Sequence, residues 1–182
     1  MDSHSALINW YQIRHPEWKL EGHNTPLQQQ SIDGLKQLQH DIVSPLEQAF
    51  GDIHITYGFT SAELLRRIKK DSPGHMAPEL DQHAAFELNL RGNRICKRDG
   101  AACDITISGY ENQMQRIAHY IVDNLRFDKL YFYGDSRPIH ISIGPENSRF
   151  VQIMNTQPTG LRTPGQRKNG ESALELFGKT KE

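Results

Sequence analysis

A chain of 182 residues has room for one domain with short extensions and not for two full ones. Its 21 Lys and Arg stand against 22 Asp and Glu, so no net basic field draws it to nucleic acid or to an anionic membrane. The apolar runs are too short to span a bilayer, the first residues carry no secretory pattern, and two Cys cannot build a disulfide framework, so a cytoplasmic protein with reduced thiols is expected.

Taken in chain order, residues 1–24 hold Trp10, Tyr11 and Trp18 around Pro16 and read as an N-terminal arm, irregular or briefly helical, laid over the core. Thr25-Pro26 is a helix-start signal, followed at helical spacing by Leu35, Leu38, Ile42, Val43, Leu46 and Phe50. Pro45 falls late in that pattern and predicts a kink or two segments. Residues 52–57 alternate polar and apolar as a strand, and Ser61 caps a short helix carrying Leu64, Leu65 and Ile68. A loop over 71–82 leads to two strands, 85–90 and 94–96, joined at Arg91-Gly92-Asn93. A strand over 102–107, an amphipathic helix over 111–125 and strands over 129–133 and 139–143 complete the pattern. The order predicts an α+β domain with a central antiparallel or mixed sheet flanked by helices. Residues 25–154 form that domain, and 155–182, with five basic and three acidic residues, read as a flexible basic tail.

Nine His make metal ligation worth testing against the pattern, because His is the commonest protein ligand for metals. Asp104 interrupts the apolar stretch Ala101-Ala102-Cys103-Asp104-Ile105, and His140 interrupts Pro138-Ile139-His140-Ile141. A carboxylate inside such a strand must be paired, ligated or exposed, since burying it bare is costly. With His83, which follows the loop, these residues make two His and one Asp, a common hydrolytic zinc shell with a fourth position left to water. A half-exposed strand face is the plainer reading of the same pattern. Cys103 is placed on the opposite sheet face from Asp104, Glu87 and Asn89 share one strand face beside the metal or facing water, and His75 stands in the loop before His83.

The ordered fragments resemble the D,D-carboxypeptidase/Hedgehog-type zinc peptidases of bacteria and phages. The helix with Leu38, Val43-Ser44-Pro45-Leu46 and Phe50-Gly51 is similar to the one that opens that fold, and Tyr57-Gly58-Phe59-Thr60-Ser61 to its Ser-Gly-Tyr-Arg-Ser. Asp81-Gln82-His83 and Gly100-Ala101-Ala102-Cys103-Asp104 match the two halves of its Ser-x-His-x-x-Gly-x-Ala-x-Asp, with a hairpin between them. Phe127-Asp128-Lys129-Leu130 and Ile139-His140-Ile141 match its closing strands. The resemblance spans residues 24–143 and implies a Hedgehog/D,D-peptidase-like fold, one Zn2+ held by His83, Asp104 and His140, and a peptide or peptidoglycan-like substrate.

The chain departs from the family at two functional positions. Thr60 replaces the Arg that grips a substrate carboxylate, and Tyr133 stands nearest to the catalytic Glu. Asp135, in the turn before His140, is the closest acid and the candidate base, and Arg137 is a candidate to replace the lost cation. Thr60, Tyr133 and Arg137 are thus the candidate substrate-binding residues. An uninterrupted motif would put Lys97 in the place of His83, a rival register. Two functions follow: a zinc-dependent hydrolase of an amide bond, in a cell-wall stem peptide or an intracellular peptide, or a catalytically inactive peptidase-fold module that uses the cleft or the hairpin 85–96 for binding.

Overall fold

The structure is a computed structural model that describes residues 3–18, 24–71 and 79–177. It is an α+β arrangement of an open, six-stranded mixed sheet and five α-helices. The helices are α1 (Ser3–Arg14), α2 (Gln29–Leu38), α3 (Ser44–Phe50), α4 (Ala62–Asp71) and α5 (Met114–Asn124). The strands β1 (Ile53–Tyr57), β2 (Ala101–Ile107), β3 (Lys129–Phe132), β4 (Ile139–Ile143), β5 (Phe150–Thr156) and β6 (Arg162–Asn169) lie in the order β1-β2-β4-β3-β5-β6. Only β3 and β5 run parallel. Among the described residues no helix is long and apolar enough to cross a membrane.

One sheet face is the main core. Ala101, Cys103, Ile105 and Ile107 of β2 and Ile139, Ile141 and Ile143 of β4 recur at period two and are buried with Leu35, Leu38, Ile42, Val43 and Leu46 from the helices. Between α2 and α3, Gln39–Val43 form one π-helical turn continuous with both, and Pro45 follows it at the start of α3, so the altered bonding of the turn falls where the proline lacks an N–H. The expected pair of segments is therefore present. The helix begins at Gln29 and not at Thr25-Pro26. Its exposed N-terminal backbone is served from elsewhere in the chain: the buried Glu87 carboxylate accepts the N–H groups of Leu27 and Gln28, at 3.0 and 3.1 Å.

α1 packs against β1, α2 and the π-helical turn, and on the sheet face opposite Cys103 the turn over 79–86 sets His83 against Asp104 and His140. Trp10 donates its indole N–H to the Phe59 carbonyl at 2.8 Å, and its ring lies 4.1 Å from Tyr57. Gly58 makes this approach possible, since a Cβ there would stand 2.3 Å from the Leu7 carbonyl oxygen. The arm is thus a packed helix.

Two expectations need correction. The strands expected over 85–90 and 94–96 reduce to a single bridge between Leu88 and Arg94. Gln82 and Ala85 adopt positive φ, 66° and 44°, and the Asn89 side chain accepts the N–H groups of Arg91 and Asn93, so local bonds displace a ladder. The tail expected over 155–182 is ordered structure through Phe177: β5 and β6 extend the sheet, and a 3-10 helix (Gly170–Leu176) returns to bury Ala173, with Phe177 buried just after it. The domain therefore extends past residue 154.

Candidate metal centre

Strand register sets the site. Tyr57 pairs with Asp104, Asp104 with His140, His140 with Tyr131, and Tyr131 with Gln152, so one row crosses five strands. An irregularity between Ile55 and Tyr57 takes Tyr57 out of the Ile53/Ile55 alternation and brings it opposite Asp104. His83 descends on this row from the turn over residues 79–86. Its ring stands edge-on to Tyr57 at 4.5 Å and to His140 at 5.0 Å, while Tyr131 stacks on His140 at 4.8 Å.

The three residues expected to ligate a metal come together. His83 Nε2 is 3.3 Å and His140 Nδ1 2.9 Å from the same oxygen, Asp104 Oδ1. Both imidazoles are buried and Asp104 is partly buried. His83 is held from two sides: its Nδ1–H donates to the Gly58 carbonyl at 3.1 Å, and its own carbonyl accepts the Thr60 N–H at 3.0 Å. The first bond fixes the tautomer and leaves Nε2 turned to Asp104. Lys97, the rival in the other register, is exposed, and it is His83 that stands beside Asp104 and His140.

The turn that carries His83 is anchored behind it. Gln82 is buried, and its side-chain amide donates to the Asp99 carbonyl at 2.8 Å and to Asp128 Oδ2 at 3.1 Å. Asp128 Oδ1 in turn accepts the hydroxyl and N–H of Ser148. Burial alone would raise the Asp128 carboxyl, but the bonds from Ser148 and Gln82 outweigh it and hold the group below its ordinary range.

A second carboxylate that the sequence reading passed over belongs to the cluster. Asp81, His83 and His140 offer donor atoms that all lie within 4.8 Å of one another. The signal was the Asp-x-His spacing, which sets both side chains on one tight turn. Burial works against charge at Asp104, but His83 and His140 pull its carboxyl well below the ordinary range. Burial likewise works against charge at His83, and Asp81 and Asp104 raise it nonetheless. The phenols of Tyr57 and Tyr133 are raised, by burial first and also by the charges of Asp81 and Asp104, and so remain proton donors.

The remaining expected residues divide. Thr60 is buried beside the site, with its hydroxyl directed to the Gly58 carbonyl at 3.4 Å. Tyr133 is half-buried under Arg162, whose guanidinium lies 4.5 Å from the ring. Arg137 is exposed in the turn before β4. Asp135 is exposed, and its Oδ1 accepts the Gln115 N–H at 2.7 Å, which commits it to the first turn of α5. Glu87 serves α2 and Asn89 its own turn, so neither joins the metal cluster. Cys103 is buried on the core face, away from the metal cluster, as expected. His75 lies outside the described residues.

The donor set fits a divalent cation. Asp81, His83 and His140 bring one donor atom each close enough to share an ion, Asp104 Oδ1 adjoins both imidazoles, and two buried polar atoms, His140 Nε2 and Asp81 Oδ1, have no hydrogen-bond partner among the described residues. No family model, curated protein or solved structure matches the chain.

Proposed function

We propose that the chain is a metal-dependent hydrolase of an amide bond, with one Zn2+ as the expected ion, on a Hedgehog/D,D-peptidase-like domain. Its substrate would be a peptide, either a cell-wall stem peptide or an intracellular one. The observation that supports this reading is the convergence of His83 Nε2 and His140 Nδ1 on Asp104 Oδ1, from three separated stretches of chain. A cation bound there would supply Lewis-acid polarisation of the scissile carbonyl.

The chain's own residues do the rest. The Gly58 carbonyl and the Gln82–Asp128 clamp orient His83, and the ladder between β2 and β4 holds Asp104 against His140. Tyr57 and Tyr131 wall the imidazoles and limit water, while the protonated Tyr133 hydroxyl is a donor for a substrate oxygen. Asp135 Oδ1 is tied to the Gln115 N–H, and among the described residues no contact joins Asp135 to His83, Asp104 or His140, which favours the second reading, an inactive peptidase-fold binding module.

The test is metal content by elemental mass spectrometry on untagged protein, with His140→Ala as control, followed by hydrolysis of peptides with and without D-Ala termini. One equivalent of zinc, lost in the variant, together with cleavage supports the hydrolase. Zinc without cleavage supports the binding module. Absence of metal after zinc is added back overturns both the centre and the hydrolase.

A further inference from the structure

Resting on the metal reading above, we propose that Asp81 is a fourth protein ligand of the same ion, so that the centre is built from two imidazoles and two carboxylates. Asp81 Oδ1 is shut off from solvent and has no hydrogen-bond partner among the described residues, although it stands in a polar cluster. A buried acceptor left in that state carries a desolvation penalty of about 1–3 kcal/mol, more when charged, and a cation beside it removes the penalty.

Asp81 is also aimed. It stands two residues before His83 on the turn that delivers that ring, and one of its carboxylate oxygens falls within 4.8 Å of a ring nitrogen of each imidazole.

A consequence follows for the ion. Four protein donors close a tetrahedral site, which is the signature of a structural centre. A centre with Asp81 bound that still admits substrate must take five or six donors, and a mixed set of nitrogen and carboxylate oxygen suits ions that accept such numbers. The position of Asp81 therefore separates this chain from a plain two-His, one-Asp shell.

The test titrates metal-free, full-length protein with Co2+, following the visible absorption bands of the ion and its retention on dialysis. Asp81→Asn should weaken retention about tenfold or more and change the absorption envelope, because one charged donor is gone. Asp81→Glu should restore retention with a shifted envelope, since the carboxylate moves by one methylene; this variant decides the matter if the Asn form does not fold. An envelope identical to wild type in either variant overturns the assignment, even where retention falls, because it makes Asp81 an outer support. Failure of the underlying metal reading looks different: wild type that takes up no Co2+, or Asp104→Asn that binds like wild type, overturns the whole centre.

Discussion

Strands β2 and β4 and strands β5 and β6 belong to one sheet and are made of opposite material. All five residues of β4 are buried and β2 is nearly so, whereas β6 exposes or half-exposes every residue it has. In the buried half each polar side chain must find a partner, and Asp104 and His140, interrupting runs of Ile and Ala, find one another. In the outer half Arg167 is exposed, Arg162 lies over the Tyr133 ring and Lys168 pairs with Glu175, and the proline in β6 and its basic charge discourage a further strand from adding to the edge. Chemistry therefore collects where the sheet is driest, and the outer strands lengthen the scaffold.

The sharpest way to break this contrast is to remove the shared acid. Asp104→Asn keeps the shape of the side chain and leaves His83 and His140 without an anion between them. Metal uptake measured by dialysis should fall at least about a hundredfold. Folded protein with wild-type uptake would mean that the buried row is only a hydrogen-bonded polar seam.

The outer half is tested at Phe177. Its ring stands edge-on to Phe132 at 5.3 Å, and its carbonyl accepts a bond from the Gln115 side chain. Phe177→Ala should lower the free energy of unfolding by about 3–5 kcal/mol in denaturant titration, with metal uptake per folded molecule unchanged. A mobile tail would give no change.

These two residues also show what could be read from the sequence. Period two over 101–107 and 139–143 exposed the buried strands, and a charged or imidazole residue inside each stood out against them, so Asp104 and His140 were legible as candidates from the pattern, whereas His83, outside both strands, rested on the resemblance of Asp81-Gln82-His83 to a family motif. Asp81 was not legible, because its neighbours are polar and only the turn aims it at the imidazoles. The strands after Met154 were hidden for the converse reason: Arg162–Asn169 has no apolar alternation, and its strand character comes from pairing with β5. The hairpin over 85–96 was overcalled, since alternation of Phe86 and Leu88 cannot show that Glu87 is taken by the N-terminus of α2.

A smaller effect should come from the clamp behind His83. Gln82→Ala removes the amide that joins the turn to Asp128 and the Asp99 carbonyl. Metal affinity should fall about tenfold with little change in the number of ions bound, as for other groups that orient a ligand. An unchanged affinity would show that Gly58 and Thr60 alone hold His83.

Protons compete with the ion at the same atoms. The His83 pKa is raised, so in metal-free protein its charged form is stabilised by Asp81 and Asp104. That stabilisation is fully present below the ordinary His value and is lost as pH rises through the raised one. Binding a cation requires the neutral ring, so apparent affinity should increase by up to about tenfold per pH unit while His83 is protonated and level off once the ring is neutral. Isothermal titration in buffers of different ionisation enthalpy would count the proton released. Affinity that falls with pH, or no proton release, would contradict a ligand role for His83.

The smallest expected effect belongs to Asp135, and it separates two uses of one carboxylate. Bound to the Gln115 N–H, Asp135 places negative charge at the positive end of α5 and satisfies a backbone donor there. Asp135→Asn retains an acceptor oxygen and loses the charge, so stability should drop by no more than about 1 kcal/mol, with metal affinity unchanged. If hydrolysis of a peptide is found, its rate should survive this change within a few-fold, because Asp135 serves the helix start and among the described residues no contact joins it to the His83, Asp104 and His140 cluster. A loss of a hundredfold or more in kcat at wild-type metal content would instead show that Asp135 leaves the helix to act as base during turnover.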